Sequence, residues 1–231
     1  MESILNMNDQ ILVVIGNENR QEIIDFSKKN SLHFFCIEDF DFLDYQVEEF
    51  DWLINLWSPF IFTDEHLLRT RLSLNIHPSL LPIGRGRDPI VHGLLKMERL
   101  GFTFHAITRG VDEGAIIFQK EIEYEFPFDA SVIYKKIVDE ATSSFRLHWP
   151  VIRLGNLPLQ NQDENLGQTH TRSMTESLRH RKWNEMSKDQ RDLLLWISAF
   201  DFKNGYGPII DIDGKKYKLT IGYSRMEEIG D

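Results

Sequence analysis

The first half of the chain alternates short apolar runs with segments that carry charged residues. The apolar runs are residues 11–16 (ILVVIG), 33–37 (HFFCI), 51–56 (DWLINL) and 72–76 (LSLNI). A continuous run rich in β-branched residues is typical of a strand that is buried on both faces of a sheet. Residues 19–29 and 63–69 lie between such runs and predict helices, the second of them capped by Thr63. The alternation predicts an α/β domain with a parallel-rich sheet.

Two later segments predict helices with defined ends. Asp88 and Pro89 are the residue types that favour the N-cap and the first helical position. The apolar residues that follow on one face are Ile90, Leu94 and Met97. Gly101 is the expected end of this helix. A longer helix is expected to begin after Asp129, and Pro150 is expected to stop it.

A change in composition divides the chain. Residues 156–172 are polar and rich in Asn, Gln and Gly, which predicts a linker. We therefore expect a main domain over residues 1–155 and a small C-terminal region over residues 173–231.

The C-terminal region carries its own helix and strand signals. Capping-box patterns, which mark helix starts, are Ser173 with Glu176 and Ser187 with Gln190. Asp213-Gly214 stands between alternating apolar positions and predicts a β-hairpin. An isolated hairpin exposes a strand edge and is marginally stable. Pairing of that edge across a two-fold axis, with burial of Ile210, Ile212 and Leu219, predicts a homodimer.

Composition and charge narrow the class of partner. The 231 residues include 36 acidic and 26 basic side chains, which gives a net charge of −10. This balance argues against an electrostatic nucleic-acid binder, which usually shows a basic face. No run approaches the roughly 20 apolar residues that span a bilayer, and no signal-peptide pattern is present at the start. We expect a cytoplasmic protein with no nucleic-acid partner and no membrane partner.

Candidate chemistry begins at the end of the fourth apolar run. Asn75 and His77 are two residues apart, so on an extended backbone their side chains point the same way. Pro78 ends the strand and favours an extended His77. The carboxyl ends of strands are where α/β folds place their ligand sites. The structural alternative is that Asn75 caps a turn and that His77 only fills it.

Two loops add further polar residues. After Leu80-Leu81-Pro82, the loop carries Arg85 and Arg87, which are either solvated connector residues or cations for an anionic ligand. Asp112 lies in a glycine-flanked loop between two strand-like runs, where most aspartates only form turns. Cys36 is the single cysteine, which excludes an intramolecular disulfide and a thiolate zinc site.

Together these motifs resemble the folate-dependent formyltransferase family. The stretch Asn75-Ile76-His77-Pro78-Ser79-Leu80-Leu81-Pro82, followed by Arg85-Gly86, resembles that family's signature. The Gly-x-Thr-x-His pattern at 101–105 and the Val-Asp-x-Gly pattern at 111–114 resemble its second and third motifs. The resemblance covers residues 11–150 well and residues 170–221 more weakly.

The resemblance implies a Rossmann-like catalytic domain that transfers a formyl group from N10-formyltetrahydrofolate to an amine without a metal. The family's catalytic residues fall on Asn75, His77 and Asp112. Asn75 would donate a hydrogen bond to the developing oxyanion. His77 would stabilise that oxyanion or accept a proton. Asp112 would orient His77 or hold a water that shuttles protons, and the division of roles stays open.

The family pattern also implies where the substrates bind. The pteridine of the donor is expected between the Leu80-Leu81-Pro82 loop and the backbone of Thr108, Arg109, Gly110 and Val111. Arg85, Arg87 and His105 are candidate contacts for the acceptor substrate, the two arginines for a diphosphate.

Three classes of acceptor amine compete. The turn after the first strand, residues 16–19, has an acidic residue where a glycinamide ribonucleotide enzyme would hold a phosphate. Methionyl-tRNA enzymes need a basic C-terminal domain, which does not fit a net charge of −10. The nucleotide-sugar N-formyltransferases, with their abbreviated C-terminal region, are the best fit.

Functions other than formyl transfer remain as alternatives that the sequence supports less strongly. A formyltetrahydrofolate hydrolase would use the same donor. His77, His105 and Asp112 have the composition of a two-histidine, one-carboxylate metal site, which would define a metal-dependent hydrolase. A folate- or nucleotide-binding protein without catalysis is the remaining alternative.

Overall fold

The computed structural model of the chain describes residues 10–36, 49–155, 158–163, 165–186, 188–202 and 206–220. The strands are β1 (Ile11–Ile15), β2 (His33–Cys36), β3 (Phe50–Leu56), β4 (Thr70–His77), β5 (Arg85–Gly86), β6 (Leu100–His105), β7 (Ile116–Ile122), β8 (Thr169–His170), β9 (His180–Lys182), β10 (Ile209–Ile212) and β11 (Lys215–Lys218). The α-helices are α1 (Arg20–Lys29), α2 (Asp64–Leu68), α3 (Pro89–Leu95), α4 (Ala130–Arg153), α5 (Arg172–Arg179) and α6 (Gln190–Phe200).

A six-stranded sheet in the order β2-β1-β3-β4-β6-β7 organises the main domain. The strands β2, β1, β3 and β4 run parallel, and β6 and β7 are antiparallel to their neighbours. All five residues of β1 are buried, which is what its unbroken apolar sequence predicts. The α/β class, the parallel-rich sheet and the four predicted strands are therefore confirmed, with Ile37 of the second run lying outside the described residues.

The first two helices follow their sequence signals. Helix α1 occupies Arg20–Lys29 and turns Ile23 into the core. Thr63 is the N-cap of α2, and it forms a capping box with His66. Asp129 caps α4 by accepting hydrogen bonds from the backbone N–H groups of Ser131 and Val132.

The sequence prediction for the end of α3 is wrong. Helix α3 begins at Pro89 as expected and ends at Leu95, whereas Gly101 lies inside β6. A Cβ on Gly101 would lie 2.2 Å from the carbonyl oxygen of Lys120, so the glycine permits close approach of β7. Asp88 precedes the helix in a left-handed conformation and makes no side-chain capping bond.

Pro150 does not stop α4, which continues to Arg153. Proline lacks the N–H that would bond one turn back, so the helix loses one hydrogen bond at this point. Trp149 and Ile152 are both buried on the inner face of the last turn. Their apolar burial offsets the missing bond.

The predicted starts of the C-terminal helices also shift. Helix α5 is capped by Thr171, which accepts from the N–H of Met174, and not by Ser173. Helix α6 is capped by Asp189, and the predicted cap Ser187 lies outside the described residues. Trp196 and Phe200 on α6 pack against Val91 of α3, which fixes the C-terminal region on the main domain.

Part of the predicted linker packs on the main domain. Gln160 pairs with Ile116 at the start of β7. Thr169 and His170 form β8, which pairs in parallel with β5. The domain bounds at 155 and 173 stay a prediction, but the segment between them contacts the loops that end the central sheet.

The predicted hairpin is confirmed, with Asp213-Gly214 between β10 and β11. Ile210 is already buried within the chain, at 3% exposure. The exposed strand β11 is an edge of its sheet and carries three lysines, Lys215, Lys216 and Lys218, which disfavour pairing with an identical edge. The homodimer stays a prediction.

Among the described helices, none combines the length and the apolar character that crossing a bilayer requires.

Candidate active site

The three predicted catalytic residues converge at one edge of the central sheet. Asn75 and His77 lie among the last three residues of strand β4, directly before Pro78. Asp112 lies in the loop that joins β6 to β7, and its φ of 56° is in the left-handed region. Aspartate tolerates this conformation better than most residues. The loop therefore brings a carboxylate back to the carboxyl end of β4.

Asp112 contacts both histidines of the site. Its Oδ2 accepts a hydrogen bond from the backbone N–H of Gly86 at 2.9 Å. The same oxygen lies 3.4 Å from Nδ1 of His77, and Oδ1 lies 3.5 Å from Nε2 of His105. Burial raises the pKa of Asp112, but the Gly86 N–H and the neighbouring histidines in their protonated form outweigh it and hold the pKa at about 2. The carboxylate is therefore ionised at neutral pH.

His77 is a buried and neutral imidazole with a defined tautomer. Its Nε2 lies 2.8 Å from the carbonyl oxygen of Gly84. A carbonyl can only accept, so Nε2 carries the proton and Nδ1 keeps its lone pair. Burial lowers the pKa of His77 below its usual value, although Asp112 and the Gly84 carbonyl act in the opposite direction. Nδ1 is consequently a base that faces an ionised carboxylate.

A chain of hydrogen bonds fixes the orientation of the Asn75 amide. Asn55 on the paired strand β3 donates from Nδ2 to Oδ1 of Asn75 at 2.9 Å. Asn75 in turn places Nδ2 at 3.0 Å from Nε2 of His105. The Nδ1 of His105 lies 2.8 Å from the carbonyl of Ala106, so Nδ1 carries the proton and Nε2 accepts from Asn75.

Among the described residues, the second N–H of the Asn75 amide has only a long contact. Nδ2 lies 3.5 Å from Oδ1 of Asp112, beyond the usual length of an N–H···O bond. One donor of Asn75 therefore remains for a ligand. Sequence reasoning did not find Asn55, because its register opposite Asn75 follows from strand pairing and not from a local motif.

The predicted donor-binding loop is only partly exposed. Leu81 is buried, its N–H bonds to Oγ1 of Thr103 at 3.1 Å, and its carbonyl accepts from Gln119 at 2.7 Å. Its backbone is thus occupied by the protein. Leu80 and Pro82 are half-buried beside it.

The second predicted donor-binding stretch is open to solvent. Thr108 and Arg109 are exposed, Gly110 is half-buried, and Val111 is 51% exposed next to Asp112. No residue in the described part of the chain accepts a hydrogen bond from the backbone N–H of 109, 110 or 111. The Arg109 guanidinium itself pairs with Asp64.

The three residues expected to contact the acceptor differ in exposure. Arg87 is exposed and follows Gly86, whose N–H bonds to Asp112. Arg85 is only 5% exposed, and its Nε and Nη2 donate to Oε1 of Gln162 at 3.0 and 2.8 Å. His105 is 2% exposed, and its Nε2 accepts the hydrogen bond from the Asn75 amide. The expectation of an open cation therefore fits Arg87 and does not fit Arg85.

No group of three or more His, Cys, Asp or Glu side chains is arranged to hold a metal ion within the described ranges. His77 and His105 are 6.3 Å apart between ring centroids and nearly perpendicular. Their free nitrogens face a carboxylate and an amide, respectively.

Residues 60–146 match the family model described as formyl transferase. The matched range includes Asn75, His77 and Asp112. This match confirms, over residues 60–146, the resemblance predicted from the motifs.

Two curated relatives are similar to this chain at the sequence level. A methionyl-tRNA formyltransferase of Thermotoga maritima is 31% identical over 159 residues, covering 68% of this chain and 49% of the relative. A dTDP-4-amino-4,6-dideoxyglucose formyltransferase of Mycobacterium bovis is 27% identical over 150 residues, covering 64% of this chain and 63% of the relative. The match thus spans about half to two thirds of these relatives.

Two solved structures share the fold. A Mycobacterium tuberculosis protein described as a sugar N-formyltransferase superposes with a TM-score of 0.83 at 19% identity, covering 95% of this chain and 99% of that one. A Helicobacter canadensis N-formyltransferase, in complex with folinic acid and dTDP-3-aminofucose, superposes with a TM-score of 0.72 at 18% identity, covering 94% and 92%.

Proposed function

We propose that this protein transfers a formyl group from N10-formyltetrahydrofolate to the amine of a nucleotide-linked amino sugar. The observation that carries the proposal is the convergence of an oriented amide, a neutral imidazole and an ionised carboxylate within one formyltransferase domain. Acyl transfer to an amine needs these three functions: an oxyanion donor, a proton acceptor and a charge that stabilises the resulting cation.

Asn75 is the proposed oxyanion donor. The acceptor amine attacks the formyl carbon, and negative charge develops on the formyl oxygen. The remaining N–H of Asn75 donates to that oxygen. Because Asn55 and His105 hold the amide on both sides, the donor needs no reorganisation when the charge appears.

His77 and Asp112 are proposed to handle the proton. The attacking amine loses a proton, which Nδ1 of His77 accepts to form an imidazolium. Oδ2 of Asp112, 3.4 Å away, stabilises that cation. Collapse of the intermediate breaks the bond between the formyl carbon and N10, and N10 takes up a proton. The products are an N-formyl amide and tetrahydrofolate.

The exposed stretch from Thr108 to Val111 fits the folate donor. Its backbone N–H groups at 109–111 are available, and the exposed side chain of Val111 offers an apolar surface next to Asp112. A flat heterocycle with hydrogen-bonding edges matches both features. Leu80 and Pro82 are proposed to cover its other side, whereas Leu81 supports the loop from beneath.

The turn after β1 disfavours a phosphoribosyl acceptor. The N–H of Gly16 already bonds to the carbonyl of Leu56 at 2.9 Å, and a Cβ at Gly16 would lie 1.8 Å from the Trp57 carbonyl oxygen. Glu18 adds a negative charge there. A phosphate is therefore better placed near Arg87, which is exposed beside the site.

The test is a formyl-transfer assay with N10-formyltetrahydrofolate and a panel of acceptors. The panel contains thymidine- and uridine-diphosphate amino sugars, glycinamide ribonucleotide, methionyl-tRNA and water alone. We expect turnover on a nucleotide amino sugar. Turnover only on methionyl-tRNA, only on glycinamide ribonucleotide, or only as donor hydrolysis would replace the sugar proposal by that activity.

A further inference from the structure

Asp112 is held by two different parts of the chain. Its carboxylate accepts from the N–H of Gly86 at 2.9 Å. Its backbone carbonyl accepts from Nε2 of Gln162 at 2.8 Å. Gln162 lies in the segment that the sequence predicts to be a linker, 50 residues after Asp112.

The side chain of Gln162 uses its full hydrogen-bonding capacity. Nε2 donates to the carbonyls of Asp112 and Gly114, at 2.8 and 2.7 Å. Oε1 accepts from Nε and Nη2 of Arg85, at 3.0 and 2.8 Å. A primary amide has two donor hydrogens and two acceptor lone pairs, so nothing is left over.

The chemistry of the two ends explains why this residue is a glutamine. A buried guanidinium requires an acceptor, which Oε1 supplies. Two loop carbonyls require donors, which Nε2 supplies. A glutamate would satisfy Arg85 and repel both carbonyls, and an apolar residue would satisfy neither.

The loop that carries Asp112 needs such an external support. It runs between Gly110 and Gly114, and Asp112 itself has a φ of 56°. Glycines give the backbone many alternative conformations, so local sequence alone does not fix the loop. Gln162 fixes the backbone on either side of Glu113, and Gly86 fixes the carboxylate.

Arg85 and Gly86 are adjacent in β5, so one short strand holds Asp112 twice. Gly86 acts directly on the carboxylate, and Arg85 acts through Gln162 on the backbone. Strand β5 is itself paired with β8. A displacement of β5 would therefore move both contacts together.

We propose that Gln162, held by the buried Arg85, is a positioning residue that sets the place of the Asp112 carboxylate opposite His77. The pair does not touch substrate. Its kinetic consequence rests on the proposed function, in which the Asp112 carboxylate stabilises His77 after it accepts the proton of the amine.

Gln162→Glu separates the two sets of contacts that the Gln162 side chain makes, one to Arg85 and one to the loop carbonyls. The carboxylate keeps Arg85 paired, so the fold is retained, but it has no donor for the carbonyls of Asp112 and Gly114. Loss of two hydrogen bonds is expected to lower kcat about tenfold or more. We expect both KM values to change less than threefold.

A second variant removes the hydrogen bonds of both Arg85 and Gln162 without leaving an unpaired charge. Gln162→Leu alone would strand the buried guanidinium of Arg85, which is strongly destabilising. The double variant Arg85→Met/Gln162→Leu replaces both partners by apolar groups. It is expected to fold and to show the same loss of kcat. Gln160→Leu, at a nearby exposed position, is the matched control and should keep wild-type kcat.

Hydrogen exchange of the Gly86 amide gives a readout that does not require turnover. This N–H is bonded to the Asp112 carboxylate. In Gln162→Glu we expect its exchange to accelerate at least about tenfold, while the unfolding temperature stays near that of the wild type.

The kinetic and hydrogen-exchange results together test whether Gln162 positions Asp112. A lower kcat with unchanged KM and faster Gly86 exchange supports the proposal. Wild-type kcat and wild-type exchange in Gln162→Glu, or wild-type kcat in the folded double variant, overturns it. Absence of turnover by the wild type on the whole acceptor panel contradicts the proposed function, and the Gly86 exchange then decides the role of Gln162 alone.

Discussion

The side-chain amide of Asn55 donates to Oδ1 of Asn75 at 2.9 Å, across the paired strands β3 and β4. This bond decides which end of the Asn75 amide faces the site. Asn55→Asp replaces the donor by a carboxylate oxygen, which repels Oδ1 and favours rotation of the Asn75 amide by half a turn. Asn75 would then present an acceptor to the developing oxyanion. We predict a loss in kcat of about 10² or more.

Steady-state kinetics of purified Asn55→Asp check this prediction. Asn30→Asp, at the end of α1, is the control for the same chemical change away from the site, and it should keep wild-type kcat. Unchanged turnover in Asn55→Asp would mean that the orientation of Asn75 does not depend on its neighbour.

The sequence predicts the strands and the catalytic residues because both are encoded locally. An unbroken apolar run such as residues 11–15 is buried by its own composition. Asn75 and His77 stand two residues apart at the end of a strand, so they share a face without reference to the rest of the chain.

What the sequence does not predict depends on distant contacts. Asn55 and Gln162 carry no motif, and their roles come from strand register and from the path of the segment after α4. Local rules for helix ends predict that helices stop at Gly101 and Pro150. Tertiary packing overrides both rules, through the approach of Lys120 to Gly101 and through burial of Trp149 and Ile152.

Asp112→Asn tests the charge of the carboxylate with little change in shape. Asparagine tolerates the left-handed backbone at this position and can still accept from the Gly86 N–H. It cannot stabilise an imidazolium at His77. We predict that kcat falls by about 10² or more, measured with saturating donor and acceptor.

The matched control for that variant is Asp213→Asn. Asp213 also has a left-handed φ, of 50°, but it lies in the hairpin turn between β10 and β11. It should keep full activity. Full activity in Asp112→Asn as well would remove the carboxylate charge from the mechanism.

The pH dependence of turnover reports on His77. Only the neutral imidazole accepts a proton, and burial lowers the pKa of His77 below 6.5. We predict that kcat/KM for the donor, measured with the acceptor saturating, rises with pH along an acidic limb whose midpoint lies below pH 6.5. His77→Gln should lower kcat by about 10² or more, whereas His148→Gln on α4 should not. A limb centred above pH 6.5 would contradict the neutral, buried base.

A stacked pair of histidines predicts a pH dependence of stability. The rings of His92 on α3 and His170 on β8 are parallel, with centroids 3.7 Å apart. Nε2 of His92 lies 3.1 Å from Oγ1 of Thr175, and burial together with the charges of His170 and Lys96 lowers the pKa of His92 to about 4. The folded state therefore favours neutral His92.

The direction in which stability changes with pH follows from this lowered pKa of His92. Between about pH 6.5 and pH 4 the unfolded chain binds more protons than the folded one, so the free energy of unfolding decreases as the pH falls through that window. The contribution of His92 is of the order of 2–3 kcal/mol. His92→Phe keeps a stacking ring without titration. Urea unfolding at pH 7 and pH 4.5 should show a smaller decrease for this variant than for the wild type, and equal decreases would contradict the assignment.

The most direct test of the central claim is mass spectrometry of the acceptor after incubation with N10-formyltetrahydrofolate. Wild type and Asp112→Asn are compared on thymidine- and uridine-diphosphate amino sugars under the same conditions. The account predicts an N-formylated sugar nucleotide from the wild type and about 10² less of it from the variant in the initial phase. No formylated sugar from the wild type, or equal initial rates from the two proteins, would contradict it.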